Sequence, residues 1–362
     1  MTCYKRKWRF KNKNNEVIRM LSSLRKKGCR PALSVCFASI AFALLAGPAC
    51  AQTEQDKVTL AIQYGYAYLP VTVADKLGMF QTHAKAHGQA QTTFEIKRIS
   101  GSPAINDALL SGNVDIGGYG LSGTLVAWSK TRTSLDVRAL CGLVAGDNGL
   151  FVNDSSIKSI ADFKPNDKIA VSSPSGQQAL LLQMAAERQF GPDGVHRLDN
   201  LMVSLPHPDA TSSLLNKTGV KAYIGPNPYS YQLSQDPRVS KLFDFSTELN
   251  LQMTSGVLTS TGRFVKKNPE LSAAVVDAIS EANDYIRKEP RKAAELFLAS
   301  ESSSLSVDQV EAMLRQVSGE WSVQPRGVMA LADFMVRSGA LKVAPSDWRQ
   351  VFFAPVSEGE GS

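Results

Sequence analysis

Between residues 58 and 129 short apolar runs alternate with amphipathic stretches, and between residues 150 and 225 the same alternation returns. In the first round, residues 58–62 read as a buried strand and 63–68 as a loop carrying Tyr64, Tyr66 and Tyr68. A helix over residues 69–80 that ends near Gly78 and a strand over 92–99 follow. Gly101-Ser102-Pro103 predicts a helix start with Ser102 as N-cap and Pro103 in the first turn, and Gly112 stops that helix. Residues 114–116 read as a strand that leads through 117–120 into a helix over 121–129. In the second round, strands are expected at 150–152 and 168–171, and Ser173-Pro174-Ser175-Gly176 opens a helix to Arg188 in which Ser175 and Gln178 have capping-box spacing. A strand at 201–205, a helix capped by Pro208-Asp209 and a strand at 220–224 complete it. Strand alternating with helix at this rhythm implies a parallel sheet flanked by helices. Its repetition implies two similar α/β lobes.

After one more strand at 257–260, residues 268–287, 291–298, 306–316 and 327–338 show apolar residues at helical spacing, with a last apolar segment at 347–353. A lobe, a second lobe and a return of the chain require two crossings, placed near 144–149 and 251–257. The division expected is lobe I from 52–148 with 255–362, lobe II from 149–254, and a hinge between them.

The charge balance separates a leader from the rest. Of 40 Lys and Arg, eleven stand in the first 51 residues and 29 follow; of 33 Asp and Glu, only Glu16 stands there and 32 follow. The chain beyond residue 51 is therefore net −3, and the formal +7 of the whole says nothing for nucleic acid. Arg25-Lys26-Lys27 and Arg30 precede an apolar run over 31–46, too short to span a bilayer, and then Ala49-Cys50-Ala51. These are the parts of a secretory signal peptide, with cleavage expected after Ala51 and Gln52 as first mature residue. Cys50 lacks the leucine and small-residue pattern usual before a lipidated cysteine, and Met20 stands where an ordinary leader would start. Four of the five cysteines lie in the leader, so Cys141 alone can form neither an intrachain disulfide nor a structural zinc site.

Several motifs point to chemistry that their context opposes. Gly118-Tyr119-Gly120-Leu121-Ser122-Gly123 spells a dinucleotide fingerprint, but it follows the second crossover and no acid stands about 20 residues on. Its glycines suit a tight turn with bare backbone beside a cleft. No nucleophile elbow surrounds Ser122 or Ser175, and His83, His87, His196 and His207 have no metal-site spacing. No catalytic residue, metal site or cofactor is assigned. What remains is a set of helix starts at the carboxyl ends of strands, namely Ser102, Leu121-Ser122, Ser175-Gly176 and Asp209. Ligands of open α/β sheets bind there, where free N–H groups and the helix dipole favour anions. The Tyr64 to Tyr68 loop after the first strand can wall such a ligand with its rings.

The order of residues resembles the periplasmic substrate-binding proteins of ABC importers in the nitrate, sulfonate and taurine group, relatives of the thiamine-pyrimidine-precursor binders. Ala74-Asp-Lys-Leu-Gly-Met-Phe80, Gly101-Ser-Pro-Ala-Ile-Asn-Asp-Ala-Leu-Leu-Ser-Gly-Asn-Val-Asp-Ile-Gly117, Ile160-Ala-Asp-Phe163, Phe264-Val-Lys-Lys-Asn-Pro-Glu270 and Pro325-Arg-Gly-Val-Met-Ala-Leu-Ala-Asp-Phe-Met335 carry the resemblance. It implies a type II two-lobed binding-protein fold that closes on a small solute by hinge bending and docks as a monomer on a membrane permease. By position it points to Tyr64, Gly65, Tyr66, Ser102, Gly120, Leu121, Ser122, Ser173, Ser175, Gly176, Gly225 and Asn227 as ligand-binding. No Arg or Lys falls in those loops, so an anion would rest on N–H groups and hydroxyls. Relatives that act as enzymes use a cysteine-rich motif, which this chain lacks. An exported enzyme, or a binding protein that feeds a sensor instead of a permease, is the alternative.

Overall fold

The computed structural model describes residues 54–362, apart from Ser100, Asp147 and Ser302. The expected leader over residues 1–51, its cleavage site, Cys50 and Met20 lie outside the described residues.

The first α/β round builds one five-stranded sheet, in the order β2-β1-β3-β10-β4. β1 (Lys57–Ile62) is apolar and buried from Val58 on. The helical signal after it breaks in two, α1 (Leu69–Lys76) and α2 (Met79–Ala86), because Gly78 adopts a left-handed φ of 66° between them. β2 (Thr93–Arg98) pairs in parallel along the whole of β1. α3 (Ser102–Leu110), β3 (Ile116–Tyr119) and α4 (Leu121–Thr131) follow. β3 begins two residues later than its apolar pattern suggests. Val114 is buried on the approach, and Asp115 ties its N–H to the Thr59 carbonyl and its carboxylate to the Thr59 N–H (2.8 Å) before the ladder starts. β4 (Val137–Val144) then closes that edge.

The second sheet repeats this plan in the order β7-β6-β8-β5-β9. β5 (Asn148–Val152), β6 (Ile169–Val171), α5 (Gln177–Phe190), β7 (Met202–Ser204), α6 (His207–Leu215) and β8 (Ala222–Pro226) come first, then α7 (Tyr229–Ser234), β9 (Ser240–Asp244) and α8 (Phe245–Leu249). β8 starts two residues late, like β3. In each sheet three neighbouring strands pair in parallel, as the alternation requires. One antiparallel strand arrives from the other sheet: β10 (Gly256–Thr261) runs against β3 and β4, and β5 against β8 and β9, so the edge strands β4 and β9 run with the first three. The expected all-parallel sheets are thus mixed, because a strand that crosses from the opposite lobe enters from the far end.

The remaining helices, α9 (Gly262–Lys267), α10 (Pro269–Lys288), α11 (Pro290–Ser300), α12 (Val307–Gln316) and α13 (Val328–Arg337), return to the first sheet. α10 buries Leu271, Val275, Ile279 and Ile286 against α1, α2 and β4. His83 and His87 on α2, which read as surface histidines, clamp that contact: His83 reaches Glu281 (2.6 Å) and His87 reaches Glu270 (2.9 Å) and Asp277 (2.8 Å), all on α10.

The two crossings lie side by side. The Ser255 N–H donates to the Val144 carbonyl (2.9 Å), and the Gly146 N–H donates to Ser255 Oγ (3.2 Å). A Cβ on Gly146 would stand 1.9 Å from the Tyr66 hydroxyl, so only glycine fits there. The segment 320–326 braces both strands, accepting from Ala145 through Glu320 and from Thr254 through Arg326.

Candidate ligand-binding cleft

Between the sheets lies a cavity of about 730 Å³. Its walls are built where parallel strands hand over to helices, so the first turns of α3, α4, α5 and α6 all reach it. From the first lobe, Tyr64, Gly65, Tyr66, Ser102, Gly120 and Ser122 line it; from the second, Ser173, Ser175, Gly176 and Asn227 do. Two expected residues do not. Leu121 is fully buried in the core, since the first residue of α4 turns its side chain under the sheet. Gly225 lies inside β8, where an added Cβ would meet the Tyr223 ring at 3.0 Å.

The helix caps also differ from the sequence reading. Gly101, with φ of 89°, occupies the N-cap of α3, which makes Ser102 the first helical residue. Its hydroxyl caps nothing and accepts from Gln63 Nε2 at 3.3 Å. Gly176 caps α5, and the Ser175–Gln178 box does not form: Gln178 Oε1 accepts from the Ser172 N–H (2.7 Å), while its amide donates to the Ile224 carbonyl, bracing the second lobe's cleft loop. Pro206 stands at the N-cap of α6, with Asp209 in the first turn. Of the fingerprint glycines, Gly118 lies in β3 beneath Ile62 and Tyr68, while Gly120 at the N-cap of α4 and Gly123 in its first turn border the cleft.

A partly buried ion pair fixes the tyrosine loop. Arg98, at the end of β2, donates to Glu301 Oε1 (2.8 Å), the Gln63 carbonyl (2.8 Å) and Thr72 Oγ1 (2.9 Å). Glu301 in turn accepts from the Gly65 N–H at 3.1 Å. Burial raises the Glu301 pKa, and the Arg98 charge opposes that shift. Tyr64 lies under the Arg98 guanidinium, 5.3 Å from ring centroid to Cζ, while Tyr66 packs edge-on against Trp321 and donates to Glu320 Oε2 at 3.2 Å.

Spacing alone did not reveal several lining residues. Lys130, ten residues past Gly120 along α4, brings a cation that the loops lack. His207 hydrogen-bonds through Nδ1 to the Tyr223 hydroxyl (2.6 Å), and burial pulls its pKa down to about 4, so it stays neutral. Gln177 Oε1 is buried with no hydrogen-bond partner among the described residues, which leaves a polar atom at the start of α5 to be satisfied from within the cavity. No carboxylate lines the cavity among the described residues. Four helix N-termini and the Lys130 ammonium bring positive potential to the cleft.

A family model described as the NMT1-like family matches residues 51–299. The chain belongs to the NMT1-like family. Solved structures share its fold. The periplasmic aliphatic sulphonate binding protein of Escherichia coli is 19% identical, with a TM-score of 0.62 over 83% of this chain and 93% of that one. The alkanesulfonate-binding protein of Xanthomonas axonopodis pv. citri, bound to MOPS, is 16% identical, with a TM-score of 0.64 over 84% and 98%. The periplasmic nitrate-binding protein of Synechocystis is 13% identical, with a TM-score of 0.56 over 72% and 70%. No match was found among curated proteins. This member of the family thus has the two-lobed α/β architecture of periplasmic binding proteins, with the cavity between its sheets.

Proposed function

We propose that the mature chain is the periplasmic solute-binding component of an ABC importer, capturing a small organic anion between its lobes and delivering it, as a monomer, to a permease. The observation that carries this reading is the cavity where four helix N-termini meet, with Lys130 present and no lining carboxylate among the described residues. A volume of about 730 Å³ is within the usual 300–1,000 Å³ for organic ligands and far exceeds what a bare inorganic oxyanion fills. The paired crossings at 144–146 and 253–255 serve as the hinge, so the lobes swing about two hydrogen-bonded strands. Among the described residues no helix is long and apolar enough to cross a membrane.

Turnover finds little support in these groups. His207 is a poor base with its pKa near 4, and burial raises the Cys141 thiol to about 12 inside β4, away from the cavity. A thermal-shift panel of sulfonates, carboxylates, nitrate, pyrimidines and polyamines tests the proposal. A ligand at 100 times its Kd stabilises by about 2.7 kcal/mol. Stabilisation by organic anions is expected; stabilisation by polyamines or neutral heterocycles alone overturns the anion reading.

A further inference from the structure

The cavity's lining extends beyond the helix starts along α3 and α4. On α4 its lining residues Gly123, Val126, Ala127 and Lys130 form one stripe down about two turns, and on α3 Asn106 and Leu110 form a parallel stripe. A groove therefore leaves the helix N-termini and runs between α3 and α4 toward their C-terminal ends. Its walls are chiefly apolar, and Leu110 is 36% exposed within it, a large side chain left uncovered. At the far end stands Lys130, exposed, with no ion pair or hydrogen bond to any described residue.

Ten residues of helix separate Gly120 from Lys130, which places their Cα atoms about 15 Å apart. A helical side chain leans toward the N-terminus, so the Lys130 ammonium reaches back along the groove and shortens the gap to about 10 Å. The groove thus has two poles that attract negative charge, the bundle of N-termini and the ammonium, joined by an apolar channel. A monoanion would use the first pole and leave the second solvated.

Resting on the proposed solute-binding reading, we propose that the solute is a two-headed organic anion: one acidic group at the N-termini of α3 to α6, an apolar spacer of about 10 Å along the α3–α4 groove, and a second anionic group paired with Lys130. Lys130 is then the residue that selects two-headed over one-headed solutes.

Calorimetry with suberate against octanoate, and with the matching disulfonate and monosulfonate, tests this. The dianion of each pair should bind about two- to fivefold more tightly, the value of an ion pair near a surface. Lys130→Ala should abolish that preference by weakening the dianion to the level of the monoanion, and Lys130→Arg should keep it. Urea unfolding without ligand should be the same for all three, since Lys130 is exposed. Equal affinity for mono- and dianions, or a preference that survives Lys130→Ala, overturns the two-headed solute and leaves the anion-binding reading standing. Binding of no organic anion by the wild-type chain overturns both.

Discussion

The two lobes share one strand plan, yet the loops they present to the cleft are held very differently. In the first lobe, residues 63–66 are gripped by the Arg98–Glu301 pair, whose side chains are 20% and 8% exposed, and by the Tyr66–Glu320 hydrogen bond. In the second, Ser172 is held by Gln178 at its N–H and by Ser204 Oγ at its carbonyl (2.9 Å), with no ion pair, and Ser173 and Ser175 make hydrogen bonds of 3.2 and 3.3 Å with each other. The first wall is therefore preformed, with its rings fixed before any ligand arrives. The second is a set of hydroxyls on bare loop that can re-aim as the lobes close. Shape selection belongs to the first lobe and adaptable hydrogen bonding to the second.

The contrast is broken most directly at Arg98. Arg98→Ala leaves Glu301 buried without its partner and should cost about 4 kcal/mol in urea unfolding, whereas Ser173→Ala with Ser175→Ala should shift stability by under about 0.5 kcal/mol. Gln178→Ala is the second lobe's nearest equivalent. It strands the Ser172 N–H and the Ile224 carbonyl, and about 2 kcal/mol should be lost by the same measurement. Equal costs at Arg98 and Gln178 would remove the distinction between a fixed and an adaptable wall.

Ser102→Ala sharpens it further. Gly101 holds the N-cap, so the mutant should not show the ~1 kcal/mol loss expected of a missing cap. Calorimetry should instead show organic-anion affinity falling about three- to tenfold, the worth of one hydrogen bond.

The smallest effect concerns the α2–α10 clamp behind the first lobe. Hydrogen bonds donated by the ring to Glu270 and then to Asp277 raise the His87 pKa above 6.5. That contribution to stability is complete below the unfolded value and is lost as pH rises through the higher folded one. The stability gap between the native chain and His87→Gln should therefore shrink as pH rises above the ordinary histidine value of about 6.5. A gap that widens with pH would contradict the clamp.

Period made much of this architecture legible, whereas the caps did not fall where the sequence placed them. β1, β2 and the four long C-terminal helices stand within a few residues of their expected places. β4 was illegible because Val137–Val144 is buried on nearly every residue, and such a run carries no period of two. The antiparallel fourth strands were hidden because direction is a property of long-range pairing. At the site, Tyr64, Ser102 and Ser175 could be found because they follow strands directly. Lys130 and His207 could not, since one lies ten residues into a helix and the other is placed by tertiary folding. Gly101 displaced Ser102 from its expected cap because a glycine at positive φ starts the helix one residue earlier.

The central claim is that one solute is gripped from both lobes. Spin labels at Asp107 on α3 and Asp209 on α6, both exposed, report the separation of the lobes, and the buried Cys141 thiol, with its pKa raised to about 12, will not label in the folded chain. With an organic anion at saturation, pulsed dipolar spectroscopy should show the distance distribution shorten and narrow relative to the free chain. A distribution unchanged by ligand, in a sample that calorimetry shows to be saturated, would contradict closure of the two walls on a common solute.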